Sequence, residues 1–210
     1  MHNILLIDDH AVVRKGLKAI LEEEFEGVCV DEAGSGHDGI DHIRQNMPDA
    51  VVLDISLPDM NGLEVLKRIR MNWPKLPVLI LSIYGEDQYG MRMMRAGASG
   101  YLAKSVAPER LIAAIKKIIG GQHYLSDRLA ERLASNFEKG AAEVTVESLS
   151  DREYQVFRML AAGKTVTEIG NELHLSVKTI STHRHHILAK LTMSTNSDLV
   201  GFAHASGLVG

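Results

Sequence analysis

Cysteine is almost absent from this sequence, and it contains no long apolar run. The 210 residues include one cysteine, Cys29, which excludes an intramolecular disulfide and any metal site built from several cysteines. Because Cys29 lies in an apolar, strand-like stretch, we predict that it is a small buried hydrophobic residue. No apolar run approaches the length of about 20 residues that a membrane helix requires. Met1-His2-Asn3 lacks the basic region of a signal peptide, so we predict a cytoplasmic protein with no membrane partner.

The overall charge does not favour a nucleic-acid binder. The formal net charge is −4, so a nucleic-acid site has to be argued from local charge. Hydrophobic residues make up 45% of the chain and charged residues 24%, which is typical of globular proteins and allows a sizeable core. A length of 210 residues is long for one domain and suits two.

Two short apolar runs end in aspartates. The run Ala50-Val51-Val52-Leu53 precedes Asp54, and residues 4–7 precede Asp8 and Asp9. Such runs are typical of strands buried in a parallel sheet, and ligand sites lie at the carboxyl ends of those strands. Carboxylates gathered there repel one another, and a hard cation such as Mg²⁺ relieves the repulsion. We therefore predict a magnesium site for phosphoryl chemistry; the alternative is that Asp8 or Asp9 only caps the next helix.

Strand and helix patterns alternate five times over about the first 120 residues, which predicts a doubly wound α/β fold with a five-stranded parallel sheet. Two other predicted strands end near Ser82 and Lys104. These residues supply what a phosphorylated aspartate needs. Asp54 is a nucleophile that can form an acyl phosphate, the Lys104 ammonium can pair with the phosphate, and the Ser82 hydroxyl can donate a hydrogen bond to it.

This first half resembles the receiver domains of two-component response regulators. The matching residues follow the family's order along nearly the whole half: Asp8, Asp9, Asp54, Pro58, Gly62, Ser82 and residues 97–104. The resemblance implies a flavodoxin-like fold and phosphoryl transfer from a cognate histidine kinase to Asp54. It also implies that Asp9, Asp54 and the Ser56 backbone carbonyl hold Mg²⁺, with Asp8 acting through water. Ser82 and Tyr101 match the pair that reports phosphorylation in this family.

A connector separates this half from the rest of the chain. Gly120-Gly121 ends the last predicted helix of the first domain, residues 127–138 have helical spacing, and residues 140–145 are small and polar, typical of a flexible segment. We predict a receiver domain over residues 1–121, a linker over 122–144 and a second domain over 145–210.

The second domain has the pattern of a small all-α, four-helix unit. Ser150 with Glu153 and Thr165 with Glu168 have the spacing of capping boxes. Ser176 is placed to cap a longer helix that runs to about residue 191. Two helices joined by a short turn, the second one longer, predict a helix-turn-helix.

The longer helix, residues 177–191, is the candidate recognition helix. Its apolar side carries Ile180, Ile187 and Leu191, and the segment contains no acidic residue. A basic, hydrogen-bonding face suits the DNA major groove. Charge alone leaves a solvated amphipathic helix equally open, and zinc binding by its histidines is weakly supported because no cysteine or carboxylate is nearby in sequence. The candidate DNA contacts are Lys178, Ser181, Thr182, Arg184, His185 and His186.

The second domain resembles the LuxR-type DNA-binding domain, and the whole chain is similar to NarL/FixJ-type transcriptional regulators. The resemblance rests on residues 149–153, 162–164, 168–169 and 175–180, followed by His183 and Lys190-Leu191. It implies promoter DNA as a partner, with RNA polymerase as a further candidate. Family members often carry basic residues where this chain has Thr167, Ser181, His185 and Ser197; fewer phosphate contacts predict a shallower salt dependence.

The resemblance suggests a switch. Phosphorylated Asp54 would draw Ser82 inward, Tyr101 would follow, and the surface from the fourth strand to the fifth helix would rearrange. The DNA-binding domain would then be freed and a homodimer favoured, so that two recognition helices read paired half-sites. One alternative is an aspartate-nucleophile phosphatase. Those enzymes have a second acidic residue, the general acid, two positions after the nucleophile, and this chain has Ser56 at that position. The other is a regulator that binds protein or RNA.

Overall fold

The structure, a computed structural model, describes residues 2–138, 146–206 and 208. The chain forms two compact units that divide between residues 137 and 138. The elements of the first unit alternate along the chain: β1 (His2–Ile7), α1 (Ala11–Glu24), β2 (Val28–Ala33), α2 (Gly36–Gln45), β3 (Ala50–Leu53), α3 (Gly62–Asn72), β4 (Val78–Ser82), α4 (Glu86–Arg95), β5 (Gly100–Ala103), α5 (Pro108–Ile119) and α6 (Asp127–Glu138).

The sheet confirms the predicted five-stranded parallel architecture. Its strands run in the order β2-β1-β3-β4-β5, and every neighbouring pair is parallel. All residues of β3 and β4 are buried, which explains their unbroken apolar sequences. Ile7 at the end of β1 lies beside Leu53 at the end of β3. Asp8 and Asp54 therefore leave neighbouring strands at the same edge of the sheet.

Cys29 corrects one prediction, because it is exposed rather than buried. It lies on β2, which is an edge strand of the sheet. Val30 and Ala33 of that strand are buried, whereas Cys29 and Glu32 face solvent. A run of apolar residues in sequence does not distinguish an edge strand from a central one, although only the central strand is covered on both faces.

Helices α1 and α5 pack on the sheet through a shared apolar cluster. Leu21 of α1 and Leu111 and Ile115 of α5 contact this cluster together with Ile4 of the sheet. Pro108 occupies the first turn of α5, as predicted, where its missing N–H costs nothing. Val12 has the helical spacing of a core residue but is 85% exposed, because it lies in the first turn of α1 beyond the apolar cluster.

The second unit is helical, as predicted. After a short 3-10 turn (Val146–Ser148) come four helices: α7 (Asp151–Ala161), α8 (Val166–Glu172), α9 (Val177–Lys190) and α10 (Asn196–Ala205). The predicted capping boxes of α7 and α8 are both formed, and the Ser176 hydroxyl accepts a hydrogen bond from the Thr179 N–H at the start of α9. The caps thus fix where each of these helices begins.

The turn between α8 and α9 is tight. His174 has a φ of 52°, and a Cβ atom on Gly170 would lie only 2.9 Å from the Leu175 carbonyl oxygen. Glycine at position 170 therefore lets the backbone of the turn approach α8 closely. The predicted flexible segment, residues 140–145, lies outside the described residues. Among the described residues, no helix is both long and apolar enough to cross a membrane.

Candidate acidic site and candidate nucleic-acid interface

Asp54 is the most buried acid of the sheet edge. Only 3% of its surface is exposed, and its N–H donates to the Ile7 carbonyl at 2.8 Å. Its Oδ1 accepts a hydrogen bond from the Ile55 N–H at 2.7 Å. The following loop returns close to it, because a Cβ atom on Gly62 would lie 2.2 Å from the Asp54 carbonyl oxygen. Glycine at position 62 is therefore a steric requirement of this loop.

Lys104 joins the two neighbouring strand ends. Its Nζ lies 2.8 Å from Oδ2 of Asp54 and 2.5 Å from Oδ2 of Asp8. Its N–H donates to the Ser82 carbonyl at 2.7 Å, which anchors the end of β5 to the end of β4. Burial lowers the pKa of Lys104, but the hydrogen bonds to Asp54 and Asp8 outweigh burial and raise that pKa above its ordinary value. Lys104 is therefore a fixed positive charge.

One lysine does not neutralise this cluster. Burial raises the pKa of Asp54, Asp8 adds repulsion, and the opposing effect of Lys104 does not cancel them. Ligand atoms of Asp8, Asp9, His10 and Asp54 all lie within 4.8 Å of one another, the only such group found among the described residues. An excess of carboxylate oxygens at this separation fits a small divalent cation such as Mg²⁺.

The alternative role for the first two aspartates, capping α1, is wrong. The N-cap of α1 is His10, and its side chain makes no capping hydrogen bond. Asp8 instead accepts a hydrogen bond from the His10 N–H at 2.8 Å. His10 is the residue that sequence reasoning missed: its Nδ1 lies 2.7 Å from Oδ1 of Asp9. Its position directly after the two aspartates was the available signal.

Ser82 and Tyr101 are buried near this edge, with 0% and 1% of their surfaces exposed. The Tyr84 N–H donates to the Ser82 Oγ at 3.3 Å, and the Tyr101 hydroxyl donates to the Tyr84 carbonyl at 2.7 Å. Both predicted switch residues therefore contact the same loop residue. Because the ring of Tyr101 is already inside, a switch in this chain would not require an exposed ring to move inward. Ser56 lies partly buried in the loop after β3.

In the second unit, α9 presents a polar face. Ile180, Ile187 and Leu188 are buried, whereas Lys178, Ser181, Thr182, His185 and His186 are exposed. Val177, the first residue of the helix, is 46% exposed, although the helical pattern placed it beside the apolar side. The buried stripe holds α9 on its neighbours, so the opposite face can enter a groove.

Three of the predicted DNA contacts, Thr182, Arg184 and His186, have side chains that contact other residues of the unit. The Nε of Arg184 donates to Oδ1 of Asn196 at 2.6 Å, and the Thr182 hydroxyl donates to the Lys178 carbonyl at 3.0 Å. His186 Nδ1 lies 3.7 Å from Oε1 of Glu153. Lys178, Ser181 and His185 are exposed, and within the part of the chain that the structure describes their side chains form no hydrogen bond or ion pair. The hydrogen bond of Arg184 therefore links α9 to the start of α10.

Glu153 joins α9 to α7. Only 5% of it is exposed, and it accepts hydrogen bonds from the Ser150 N–H and from Lys190 Nζ, both at 2.7 Å. Burial tends to raise the pKa of Glu153, but Lys190 and Ser150 outweigh burial and lower that pKa. The basic Lys190 therefore serves the packing of α9 on α7. His183 has a lowered pKa because it is partly desolvated and lies near Arg152, which favours a neutral ring.

Both halves match known families. Residues 4–116 match the model of the response regulator receiver domain, and residues 147–203 match the model of bacterial regulatory proteins of the luxR family. The response regulator UvrY of Escherichia coli K12 is 36% identical over 210 residues, which cover 99% of this chain and 96% of that protein. The response regulator GacA of Pseudomonas aeruginosa PAO1 is 34% identical over 211 residues, which cover 100% and 98%.

Solved structures of response regulators are also similar to this chain. The response regulator RcsB of Salmonella enterica, bound to the promoter rprA in the presence of the phosphomimetic BeF3⁻, is similar with a TM-score of 0.64 and 25% identity, and the match covers 98% of this chain and 100% of that chain. A LuxR-family two-component response regulator from Aurantimonas has a TM-score of 0.59 and 32% identity, covering 65% of this chain and 97% of that chain.

Proposed function

We propose that Asp54 is the phosphoacceptor of this chain, which belongs to the NarL/FixJ-type two-component response regulators. Proteins of this family are DNA-binding transcription regulators that join a receiver domain to a LuxR-type domain. The observation that carries the proposal is the contact of one lysine, Lys104, with two buried carboxylates, those of Asp54 and Asp8. We propose the domain limits 1–121, 122–144 and 145–210, with the middle segment as the linker.

The chemistry is one phosphoryl transfer. A carboxylate oxygen of Asp54 attacks the phosphorus of the kinase phosphohistidine, the N–P bond breaks and an O–P bond forms. Lys104 pairs with the phosphoryl oxygens, and the Ser82 hydroxyl donates a hydrogen bond to one of them. Asp9, Asp54 and the Ser56 carbonyl would hold Mg²⁺, with Asp8 acting through water. Bound Mg²⁺ would neutralise negative charge on the transferring group.

The output is control of transcription. We propose that phosphorylation favours a homodimer whose two α9 helices enter the major groove of promoter DNA at paired half-sites. The base-edge and phosphate contacts proposed for α9 are Lys178, Ser181, Thr182, Arg184, His185 and His186. A relative from Pseudomonas putida is named the transcriptional activator protein ExaE, and RcsB of Salmonella enterica has been solved bound to the promoter rprA. RNA polymerase is a further proposed partner, and action on promoters implies a cytoplasmic protein.

Intact-mass spectrometry tests the phosphoacceptor. The protein is incubated with a small phosphodonor and Mg²⁺, and we expect the mass of one phosphoryl group to be added. Asp54→Ala should abolish this gain, because the nucleophile is lost. Asp41→Ala is the matched control, since that aspartate is exposed and pairs with nearby Arg44 at the surface. An equal mass gain in Asp54→Ala would reject Asp54 as the acceptor.

A gel shift tests the output. DNA selected from a random pool by the phosphorylated protein is titrated with wild-type and Asp54→Ala protein, each with and without the phosphodonor. We expect the donor to tighten binding of the wild type only. If the phosphodonor does not change DNA binding by the wild type, then phosphorylation of Asp54 does not control the DNA-binding domain.

A further inference from the structure

His10 adds a nitrogen atom to the acidic site at the carboxyl ends of β1 and β3. One ring nitrogen of His10 and one carboxylate oxygen each of Asp8, Asp9 and Asp54 lie within 4.8 Å of one another. Nδ1 of His10 is 2.7 Å from Oδ1 of Asp9 and 3.2 Å from Oδ1 of Asp8. The magnesium ligands and the phosphoryl transfer proposed above give this ring no role.

The backbone of His10 is held on both sides, which fixes the point from which its ring extends. The His10 N–H donates to Oδ1 of Asp8 at 2.8 Å, and the His10 carbonyl accepts from the Arg14 N–H at 3.1 Å. Nη1 of Arg14 also donates to the Asp8 carbonyl at 2.5 Å. The His10 side chain makes no capping hydrogen bond to α1. The ring is therefore placed beside the carboxylates without being needed by the helix.

The distances from the His10 ring to the carboxylates suit two ligands of one metal ion. Ligand atoms that lie about 2.1 Å from an octahedral ion, at right angles to each other, are about 3 Å apart. The separations of Nδ1 from the Asp9 and Asp8 oxygens, 2.7 and 3.2 Å, fall on either side of that value. Lys104 contacts Oδ2 of Asp8, whereas His10 contacts Oδ1, so both groups can stay in place.

Exposure places His10 on the side of the cluster from which an ion can enter. Asp8 and Asp54 are buried, whereas 62% of the His10 side chain and 35% of the Asp9 side chain are exposed. Lys104 brings one positive charge to three carboxylates, which leaves an excess of negative charge for a divalent cation. An ion that reaches the carboxylates from solvent therefore meets the imidazole of His10 together with Asp9.

We propose that His10 is a nitrogen ligand for a first-row transition metal ion at this site and so sets part of its selectivity over Mg²⁺; this inference rests on the metal site of the proposed function. Imidazole nitrogen suits ions such as Co²⁺, Ni²⁺ and Zn²⁺, whereas Mg²⁺ takes oxygen ligands. With Mg²⁺ bound, His10 only contacts the aspartates. With a transition metal bound, the lone pair of its ring nitrogen binds the ion. Both kinds of ion need the carboxylates, but only the transition metal needs His10.

Calorimetric titrations of the full chain with Co²⁺ and with Mg²⁺ test this role. The chain has ten histidines, so Co²⁺ that stays bound in excess Mg²⁺ is subtracted as binding elsewhere. His10→Asn removes the imidazole and keeps a residue that is favoured at a helix N-cap. We expect the Kd for Co²⁺ to rise by about tenfold or more, the size of loss seen when support for a bound metal is removed. The Kd for Mg²⁺ should change by less than about twofold, because Mg²⁺ takes oxygen ligands.

Two further variants make the result specific to His10. His10→Ala should give the same loss for Co²⁺, and it excludes replacement of the nitrogen by the amide oxygen of His10→Asn. His42→Asn is the matched control, because Nε2 of His42 lies 3.0 Å from an oxygen of Asp31, away from this site, and it should leave both Kd values unchanged. The visible absorption of bound Co²⁺ should shift in both His10 variants and not in His42→Asn, because only the former change the ligands of the ion.

The outcomes separate this role from the metal site itself. An unchanged Kd for Co²⁺ in both His10 variants, or equal losses for Co²⁺ and Mg²⁺, would overturn the role of His10 alone. Equal losses would mean that His10 orients the aspartates instead of binding the ion. A wild-type chain that binds neither ion at this site would instead contradict the metal site of the proposed function.

Discussion

At the scale of single residues, the acidic site is an arrangement that costs stability. Asp54 and Asp8 are 3% and 4% exposed, yet they share Lys104 as their counter-ion. Burial raises the pKa of Asp54 because its charged form is poorly solvated. A carboxyl group whose pKa is higher in the folded than in the unfolded state disfavours folding at neutral pH. This penalty begins to shrink as the pH falls through the folded-state pKa, and it is lost below the ordinary pKa of the unfolded state.

Asp54→Asn should therefore stabilise the protein. We expect the free energy of unfolding in urea at pH 7.5, with a chelator present, to rise by about 1–3 kcal/mol. Lys104 keeps Asp8 as its partner, so no buried charge is left unpaired. The gain should shrink in acid, where Asp54 is protonated, and in excess Mg²⁺, which binds the folded wild type. Asp41→Asn, at an exposed position, should change stability by less than about 0.5 kcal/mol; a destabilised Asp54→Asn would contradict this account.

The sequence identified individual residues correctly where a local pattern, such as the end of a strand, also fixes the position of the residue in the folded protein. The aspartates that end β1 and β3 could be assigned because strand ends carry the ligands of parallel sheets. The exposure of Cys29 could not, because it depends on β2 lying at the edge of the sheet. The engagement of Arg184 by Asn196 was equally hidden, since the two residues lie on different helices.

At the scale of elements, helix caps determine where several of the helices begin. The start of α7 was predicted from Ser150 and Glu153, and the structure contains both hydrogen bonds of that capping box. Helix α6 was predicted over residues 127–138 and is found there, but its attachment to α4 was not predicted. Helical spacing identifies which residues face inward; it does not identify the element that they face.

Ser150→Ala should destabilise the second unit. The variant removes the acceptor for the Glu153 N–H, and loss of a serine N-cap costs about 1 kcal/mol. Thermal unfolding of the full chain, followed by a signal from the second unit such as resonances of Phe157, measures the loss. Ser181→Ala, in the middle of α9, is the control and should be neutral or slightly stabilising. Equal Tm values for wild type and Ser150→Ala would show that this cap contributes nothing.

At the scale of the whole molecule, the sequence predicted two dissimilar folds on one chain, and both are found. The parallel sheet could be predicted because strand and helix patterns alternate along the first half, but the order of its strands was not predicted. The packing of residues 122–130 on the first unit could not be predicted, because nothing in their sequence indicates that they lie against Gly90 and Gly100. Contacts between distant segments are the part of a fold that periodicity does not encode.

Because the chain has a net charge of −4, its binding to DNA depends on local positive charge. On α9, the exposed Lys178 is the clearest source of that charge. If Lys178 contacts a DNA phosphate, Lys178→Ala should weaken binding on all sequences alike and make the salt dependence of the affinity shallower by about one ion per bound copy. Lys15→Ala, at an exposed position on α1, removes the same charge from the first unit and should leave the slope unchanged. Titrations of phosphorylated protein on the selected DNA at several salt concentrations measure both. Equal slopes for the Lys178 variant and the wild type would mean that α9 meets DNA through other residues, and equal losses in both variants would mean that overall charge governs binding.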